Sequence, residues 1–354
     1  MKPQFCVALL LAFGFPAAQS SAPPKSAVPR DPIEGILDAF NSHSIVALGE
    51  PHGNEQAAAF RVALIRHARF AEIVNDIVVE SGNARYQDVI DRFTRGDAID
   101  EATLRKVWQN TTQPHTVWDV PIYEQFFREV RAVNLTLPTP KRLRVLLGDP
   151  PIDWDSIDRG DVSKAVAPDD RTRYPAEVIR REVIAKNRRA LVVYGGMHLR
   201  RRNVNNDTIV ALLEKAGIRV FTVWTDTDGH LERLEPGIAS WPRPSLAPIQ
   251  GTILGAVAFD TYISSGTVTI QNGQVVAPNA IAWRQLPMQQ QFDAVLYLGP
   301  LSSMTQSKLS PALCSDAQYI AMRMARMANL PVPPGEPGAV DQLKQYCASV
   351  ARSR

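Results

Sequence analysis

Four short apolar segments, separated by helical patterns, each lead directly into a glycine or a carboxylate. They cover residues 44–48, 76–79, 143–147 and 190–194. Apolar segments of this length without alternating polar residues are typical of parallel strands that are buried on both faces. The pattern predicts an α/β fold, with a mostly parallel central sheet that is flanked by helices on both faces.

The second half of the chain has less regular signals. Strands are predicted over 219–224 and 293–298, and an Asn-Gly pair predicts a hairpin over 266–276. A helical insertion is expected over 97–134, and two further helices are expected near the C-terminus. These elements would enlarge the sheet and cover it.

No linker-like stretch interrupts the chain after residue 30, so a single domain is predicted over 31–354. Residues 31–225 would form its core, and residues 226–354 would complete it. Residues 21–30 are rich in Ala, Pro and Ser and are expected to form a flexible lead-in.

Residues 1–20 resemble a secretory signal peptide, with Lys2 before an apolar run and small residues after it. Cleavage is expected near Ser20-Ser21, and the bond between residues 18 and 19 is the alternative site. The apolar run is shorter than the roughly 20 residues of a membrane span, although an uncleaved anchor is the other interpretation. We therefore expect a secreted or periplasmic protein with no stable membrane insertion after the signal is removed.

The cysteines fit an oxidising compartment. Cys6 lies in the signal segment, which leaves Cys314 and Cys347 in the mature chain. An even pair in such a compartment favours a disulfide, here between two C-terminal helices. Two buried free thiols are the alternative.

Charge and motifs exclude several functions. Lys and Arg number 39 and Asp and Glu number 36, so the net charge is only +3 and nucleic acid is not an expected partner. The sequence contains no P-loop, no Gly-X-Gly-X-X-Gly turn and no Gly-X-Ser-X-Gly elbow. The expected partner is a small-molecule or peptide substrate.

Polar side chains follow the four predicted strands where each one ends. Glu50 and His52 follow the first strand, Glu80 the second, Asp149 the third and His198 the fourth. Open α/β sheets bind ligands beyond the carboxyl ends of their strands, and parallel strands place these ends along one edge. The five side chains are therefore expected to converge.

Histidine titrates near neutral pH and can activate water, and a neighbouring carboxylate can fix its tautomer. We therefore predict His52, His198, Glu50 and Glu80 as catalytic residues.

Three further residues are predicted to bind substrate: Arg85, Asp149 and Arg200. An arginine can hold a substrate carboxylate or an oxyanion. A structural salt bridge is the alternative for each arginine, and helix capping is the alternative for Asp149.

The same edge of the sheet also has the donor types of a metal site. Glu50, His52 and His198 are the candidate ligands, and a His and carboxylate set suits Zn or Mn, with Co as a further candidate. The sequence leaves open whether a divalent metal, or no cofactor, is used.

Two short motifs carry a resemblance to known proteins. Gly-Glu-Pro-His stands at 49–52 and Gly-Gly-Met-His at 195–198, with Glu80 at the end of the strand between them. Together they resemble the erythromycin esterase, ChaN and Tiki superfamily, which includes TraB-like proteins. The resemblance covers roughly residues 40–225, and residues 80–87 and 147–154 look like those of an uncharacterised bacterial branch.

The resemblance implies different functions in different branches. Esterase-like members are hydrolases that use a histidine base without metal, Tiki-like members are metal-dependent proteases, and ChaN-like members bind haem. The single residue between Glu50 and His52 departs from the esterase spacing. We expect an exported hydrolase in which a histidine-activated water attacks an ester or amide. The alternatives are a binding protein for haem or another small ligand, and an envelope protein that kept the fold without activity.

Overall fold

The computed structural model describes most of the chain between residues 24 and 352. The described residues are 24–157, 170–202, 207–263, 269–271, 274–276, 282–328, 330 and 337–352. The predicted signal peptide and its cleavage site lie outside them, as does the predicted hairpin turn at residues 272–273.

Nine strands are described. They are β1 (Ile45–Gly49), β2 (Asp76–Asn83), β3 (Arg144–Asp149), β4 (Ala190–Tyr194), β5 (Val220–Asp226), β6 (Ser245–Pro248), β7 (Thr269–Gln271), β8 (Gln274–Val276) and β9 (Ala294–Tyr297). Seven of them form one sheet in the order β3-β2-β4-β1-β5-β9-β6. Only β6 runs antiparallel to its neighbour in this sheet, and β7 and β8 pair separately as the predicted hairpin.

Thirteen α-helices lie in the described part of the chain. They are α1 (Pro32–Ala39), α2 (Glu55–Arg66), α3 (Phe70–Ile73), α4 (Gln87–Arg95), α5 (Glu101–Gln109), α6 (Pro121–Thr136), α7 (Asp170–Val178), α8 (Ile209–Lys215), α9 (His230–Leu234), α10 (Ile253–Ala256), α11 (Pro311–Ser315), α12 (Ala317–Met327) and α13 (Ala339–Arg352).

Alternate residues of the central strands face two separate hydrophobic cores. Val46 and Leu48 of β1 join the core that contains residues of α2, α4, α5 and α6. Ile45 and Ala47 join the core that contains residues of α7 and α8. Side chains in a strand alternate between the two faces, so the sheet is covered on both. The predicted α/β fold class is confirmed.

Strand β2 continues beyond its predicted end. The prediction stopped at Val79, but the strand extends to Asn83, with a register shift against β3 between Val79 and Asn83. This segment is polar and still fits a strand, because the register shift changes the direction of its side chains at the edge of the sheet. Glu80 therefore lies inside β2 and is buried.

The residues before α1 differ from the expected flexible lead-in. The backbone N–H of Arg30 donates to Leu246 O at 2.9 Å, and Lys25 forms a bridge with Thr252. The N–H of Ala27 donates to the buried carboxylate of Glu235 at 3.2 Å. This segment covers the outer edge of β6, where an open strand edge would otherwise expose unpaired backbone groups.

The three C-terminal helices form a small unit with its own apolar cluster, which includes Leu309, Tyr319 and Leu343. The expected disulfide joins Cys314 in α11 to Cys347 in α13, with the two Cα atoms 5.2 Å apart. No helix in the described part of the chain is both long and apolar enough to cross a membrane.

We predict that replacing both cysteines by serine lowers the free energy of unfolding by up to about 4 kcal/mol, because the bond closes a long loop in the unfolded chain. The two cysteines are 33 positions apart. Urea unfolding followed by tryptophan fluorescence measures the loss. The wild type with its disulfide reduced is the control and should match the variant. Equal stability of the oxidised wild type and the double variant would contradict the prediction.

Candidate active site

Glu50 and His52 form a tight pair immediately after β1. The Glu50 Oε2 atom lies 2.5 Å from His52 Nδ1. The other carboxylate oxygen, Oε1, accepts from Arg61 at 3.2 Å and from the Tyr123 hydroxyl at 3.1 Å. The Glu50 backbone N–H donates to Tyr194 O of β4 at 2.7 Å. The carboxylate is thus held by His52 and by groups from two helices, and the neighbouring strand holds the Glu50 backbone.

These contacts shift the titration of both members of the pair. Burial would raise the pKa of Glu50, but Arg61, His52 and Tyr123 outweigh it and hold the pKa below its usual value. Burial would lower the pKa of His52, but the hydrogen bond and charge of Glu50, with the charge of Glu80, raise it. Glu50 is therefore an ionised carboxylate, and it makes His52 a stronger base.

Glu80 of β2 lies on the other side of His52. Its Oε2 atom accepts the backbone N–H of Gly195 at 2.8 Å, and its Oε1 atom accepts from Arg171 at 3.1 Å. Burial would raise the pKa of Glu80, but the charges of His198, His52 and Arg171 outweigh it and lower the pKa. A Cβ atom at Gly195 would lie 3.2 Å from the His52 ring, so glycine allows this close approach.

The carboxylate of Glu80 lies between the two histidines. His52 Nε2 is 4.0 Å from Glu80 Oε2, and His198 Nε2 is 3.5 Å from Glu80 Oε1. Burial is the main cause that lowers the pKa of His198, and the charges of Arg171 and Arg200 add to it. The environments push the two imidazole pKa values in opposite directions, as in acid and base pairs of enzymes.

Sequence reasoning missed several residues of this cluster. Arg61 lies in α2 and Tyr123 in α6, and both are buried. The ring of Trp118 meets the ring of His52 edge-on, with centroids 4.7 Å apart. For Arg61, the one signal in the sequence was that an arginine lies on the apolar face of a predicted helix. No local pattern marked Tyr123, Trp118 or Arg171.

A small cavity lies beside both carboxylates. It has room for about one water, with a volume of about 10 Å³, and Glu50, Glu80, Ser81 and Trp118 are among its lining residues. The Trp118 indole N–H is buried and has no hydrogen-bond partner in the described part of the chain. Buried polar groups without a protein partner commonly bind an ordered water.

The three residues that we predicted to bind substrate lie in different settings. Both oxygens of Asp149 accept from Thr112, from the backbone N–H at 2.6 Å and from the hydroxyl at 2.5 Å. Arg85 is half exposed and forms an ion pair with Asp153 at 3.0 Å, outside the predicted cluster. Their substrate roles stay predictions, and the structure gives both residues structural partners.

Arg200 stacks on an aromatic ring. Its guanidinium carbon lies 4.0 Å from the centre of the Trp283 ring, and Nη1 donates to Met197 O at 2.9 Å. Burial lowers its pKa to about 10. Its charge also lowers the pKa of His198, so Arg200 lies near the cluster, and its substrate role stays a prediction.

The residues fit a divalent metal poorly. Among the described residues no group of three or more His, Cys, Asp or Glu side chains is arranged to hold a metal ion. Both oxygens of Glu50 already have partners, and the guanidinium groups of Arg61 and Arg171 supply positive charge to Glu50 and Glu80. Bound Zn²⁺ needs free oxygen and nitrogen donors at about 2 Å.

Comparisons with known proteins place the fold. No family model matches the sequence, and no match to a curated protein was found. A solved Bacillus cereus protein is 12% identical, with a TM-score of 0.55 over 80% of this chain and 97% of that chain.

Two solved structures carry the names of the superfamily. A mutant erythromycin esterase in its open conformation is 11% identical, with a TM-score of 0.47 over 78% of this chain and 94% of that chain. The haem-binding ChaN of Campylobacter jejuni is 16% identical, with a TM-score of 0.35 over 54% of this chain and 84% of that chain. At such identities, the likeness to the Bacillus cereus protein shows a shared α/β fold and no more.

We predict that Asp149 makes stability depend on pH. Burial raises its pKa to about 7 in the folded protein, whereas an unfolded aspartate titrates at about 3.9. The stability from the protonated carboxyl is therefore present below about pH 4 and is lost as the pH rises through about 7. Asp149→Asn cannot ionise, so its free energy of unfolding should rise relative to wild type between pH 4 and 8. The free energy of unfolding of both proteins is measured with urea at each pH. If the two values changed in parallel between pH 4 and 8, the prediction would be wrong.

Proposed function

We propose that this protein is a hydrolase in which His52, oriented by Glu50, activates a water for attack on an ester or amide. The observation that carries the proposal is the 2.5 Å contact between Glu50 Oε2 and His52 Nδ1. A carboxylate on one ring nitrogen fixes the tautomer and stabilises the imidazolium that forms during general-base catalysis.

The geometry leaves the second ring nitrogen free for the reaction. With Nδ1–H donating to Glu50, the lone pair of the neutral ring is on Nε2, on the side of Glu80. The side chain of His52 is 36% exposed while that of Glu50 is 4% exposed. The imidazole side chain is therefore open to solvent, and the supporting carboxylate stays away from it.

The proposed reaction balances with these groups alone. His52 Nε2 accepts a proton from the water as the water oxygen bonds to the carbonyl carbon of the substrate. When the carbon–oxygen or carbon–nitrogen bond of the tetrahedral intermediate breaks, His52 returns the proton to the leaving group. Glu50 stays ionised and stabilises the imidazolium between the two transfers.

The neighbouring groups support this reaction in different ways. Glu80 orients the water on the Nε2 side of His52. Arg171, which is 29% exposed at its side chain, supplies positive charge close to the developing oxyanion. His198 has a lowered pKa and acts as a neutral hydrogen-bonding group beside the substrate.

Export of the enzyme and the haem alternative are separate predictions. The signal-like residues 1–20 support a secreted or periplasmic enzyme. Haem binding rests on the sequence resemblance, and a Soret shift on adding haemin, lost in His52→Ala or His198→Ala, would favour it over hydrolysis.

We predict that His52→Ala lowers kcat for a p-nitrophenyl ester by about 10²- to 10⁴-fold, because it removes the general base. The variant should keep the circular dichroism spectrum and melting temperature of the wild type. His67→Ala is the matched control, since His67 also lies near a glutamate, 3.6 Å from Glu34, but at the far end of α2. Full activity in folded His52→Ala would overturn the proposed function.

We predict that the pH–rate profile has an acid limb set by His52. Its pKa is raised above the usual 6.5, so activity is lost as the pH falls through this raised value. Glu50→Gln removes the carboxylate that raises the pKa, and the acid limb should move to lower pH while the maximal rate falls. If the acid limb of the kcat/KM profile stayed at the same pH in Glu50→Gln, a group other than His52 would set that limb.

We also predict that the hydrolysis needs no metal. Dialysis against EDTA should leave kcat unchanged, and plasma mass spectrometry should find no stoichiometric Mn, Zn or Co. Loss of activity with EDTA, restored by one of these ions, would contradict the metal-free mechanism.

A further inference from the structure

A segment from the C-terminal third of the chain lies on the loop that carries His52. Residues 304–307, called here the clasp, follow β9 and a short 3₁₀ turn. Asn54 and Gln306 form an isolated antiparallel bridge, although 252 positions separate them in the sequence. The clasp therefore reaches the residues between β1 and α2.

Backbone hydrogen bonds hold the clasp on both sides of Asn54. Ser307 N–H donates to Gly53 O at 2.8 Å, and Glu55 N–H donates to Thr305 O at 3.0 Å. The Thr305 hydroxyl donates to the Glu55 carboxylate at 2.8 Å. The clasp thus fixes the backbone that directly follows His52.

The side chain of Gln306 adds contacts to His52 itself. Its amide takes the orientation in which Nε2 donates to His52 O at 3.1 Å and to Gly53 O at 3.2 Å. The opposite orientation would place the amide oxygen against two carbonyl oxygens. Gly53 has a φ of +77°, and a Cβ atom there would lie 2.8 Å from the end of the Gln306 side chain. The positive φ favours glycine at this turn, whereas the close contact falls on the end of a flexible side chain.

The two sides of the loop have complementary supports. From the core side, the Tyr123 hydroxyl accepts Gly53 N–H at 3.0 Å and donates to Glu50. From the solvent side, Gln306 holds the carbonyls of His52 and Gly53. The 2.5 Å bond between Glu50 and His52 requires that both residues keep their positions, because hydrogen bonds weaken steeply with distortion.

We infer that Gln306 is a positioning residue for catalysis, which holds the His52 backbone so that Nδ1 stays on Glu50 and Nε2 faces the substrate. This inference rests on the proposed role of His52 as the base. It gives the C-terminal third a function at the active site, although that part of the chain lies far from the catalytic motifs in the sequence.

The test compares Gln306→Ala with Gln342→Ala. Gln342 is the matched control, because it is another exposed glutamine whose Nε2 donates to one backbone carbonyl, Pro337 O at 2.9 Å, away from the site. Two quantities are measured: the pKa of His52, by NMR titration of protein with labelled histidine, and kcat and KM for p-nitrophenyl acetate.

Gln306→Ala should make His52 titrate at lower pH than in the wild type, because its bond to Glu50 loosens. It should lower kcat by about 10- to 100-fold with little change in KM, as expected when a reacting group is misplaced. Gln342→Ala should change neither. If Gln306→Ala loses the fold, Gln306→Met keeps the bulk of the side chain and removes the amide, and the same shifts are expected.

An unchanged His52 titration and unchanged kcat in a folded Gln306 variant would overturn the inference. The NMR readout does not require turnover. A shifted titration in a protein whose His52→Ala variant keeps full activity would therefore support the positioning by Gln306 and overturn the proposed function.

Discussion

A buried charge at the end of β1 determines how the site is built. The carboxylate of Glu50 is almost fully buried, and an ionised group in such a position is costly unless other groups compensate it. Arg61 supplies the opposite charge, Tyr123 and His52 supply hydrogen bonds, and β4 holds the backbone. One carboxylate therefore fixes α2, α6 and the His52 loop relative to the sheet.

The order of the strands extends this arrangement to Glu80. Strand β4 lies between β1 and β2, so its exit at Gly195 separates His52 from Glu80. Because Gly195 has no side chain, its N–H can bind Glu80 while the His52 ring approaches within about 3 Å of the place of a Cβ atom. The two imidazoles thus share one carboxylate, and Arg171 balances its charge.

Local patterns in the sequence were sufficient for the six parallel strands of the sheet, although not for its antiparallel strand β6, and for the proximity of Glu50, His52, Glu80 and His198. Buried parallel strands are apolar throughout, and their ends must meet at one edge, so their order is not needed for that prediction. Asp149 shows the limit of this reasoning, since it lies at the same edge and yet both of its oxygens face Thr112.

The remaining contacts depend on tertiary packing that no short motif encodes. Arg171 of α7 reaches Glu80 across 91 positions. Gln306 reaches the His52 loop from the C-terminal third. In the same third, Arg323 of α12 forms a buried ion pair with Asp119, next to Trp118, which contacts the His52 ring. Only the folded chain shows that these residues surround the site.

The protonation of the His52 ring tests the central claim most directly. Nitrogen-15 NMR of histidine-labelled protein distinguishes the two tautomers, and the His52→Ala variant assigns the signal among the six histidines. The account predicts that, above its pKa, His52 carries its proton on Nδ1, in a hydrogen bond to Glu50, with an unprotonated Nε2. A ring protonated on Nε2 would leave no base on the substrate side and would contradict it.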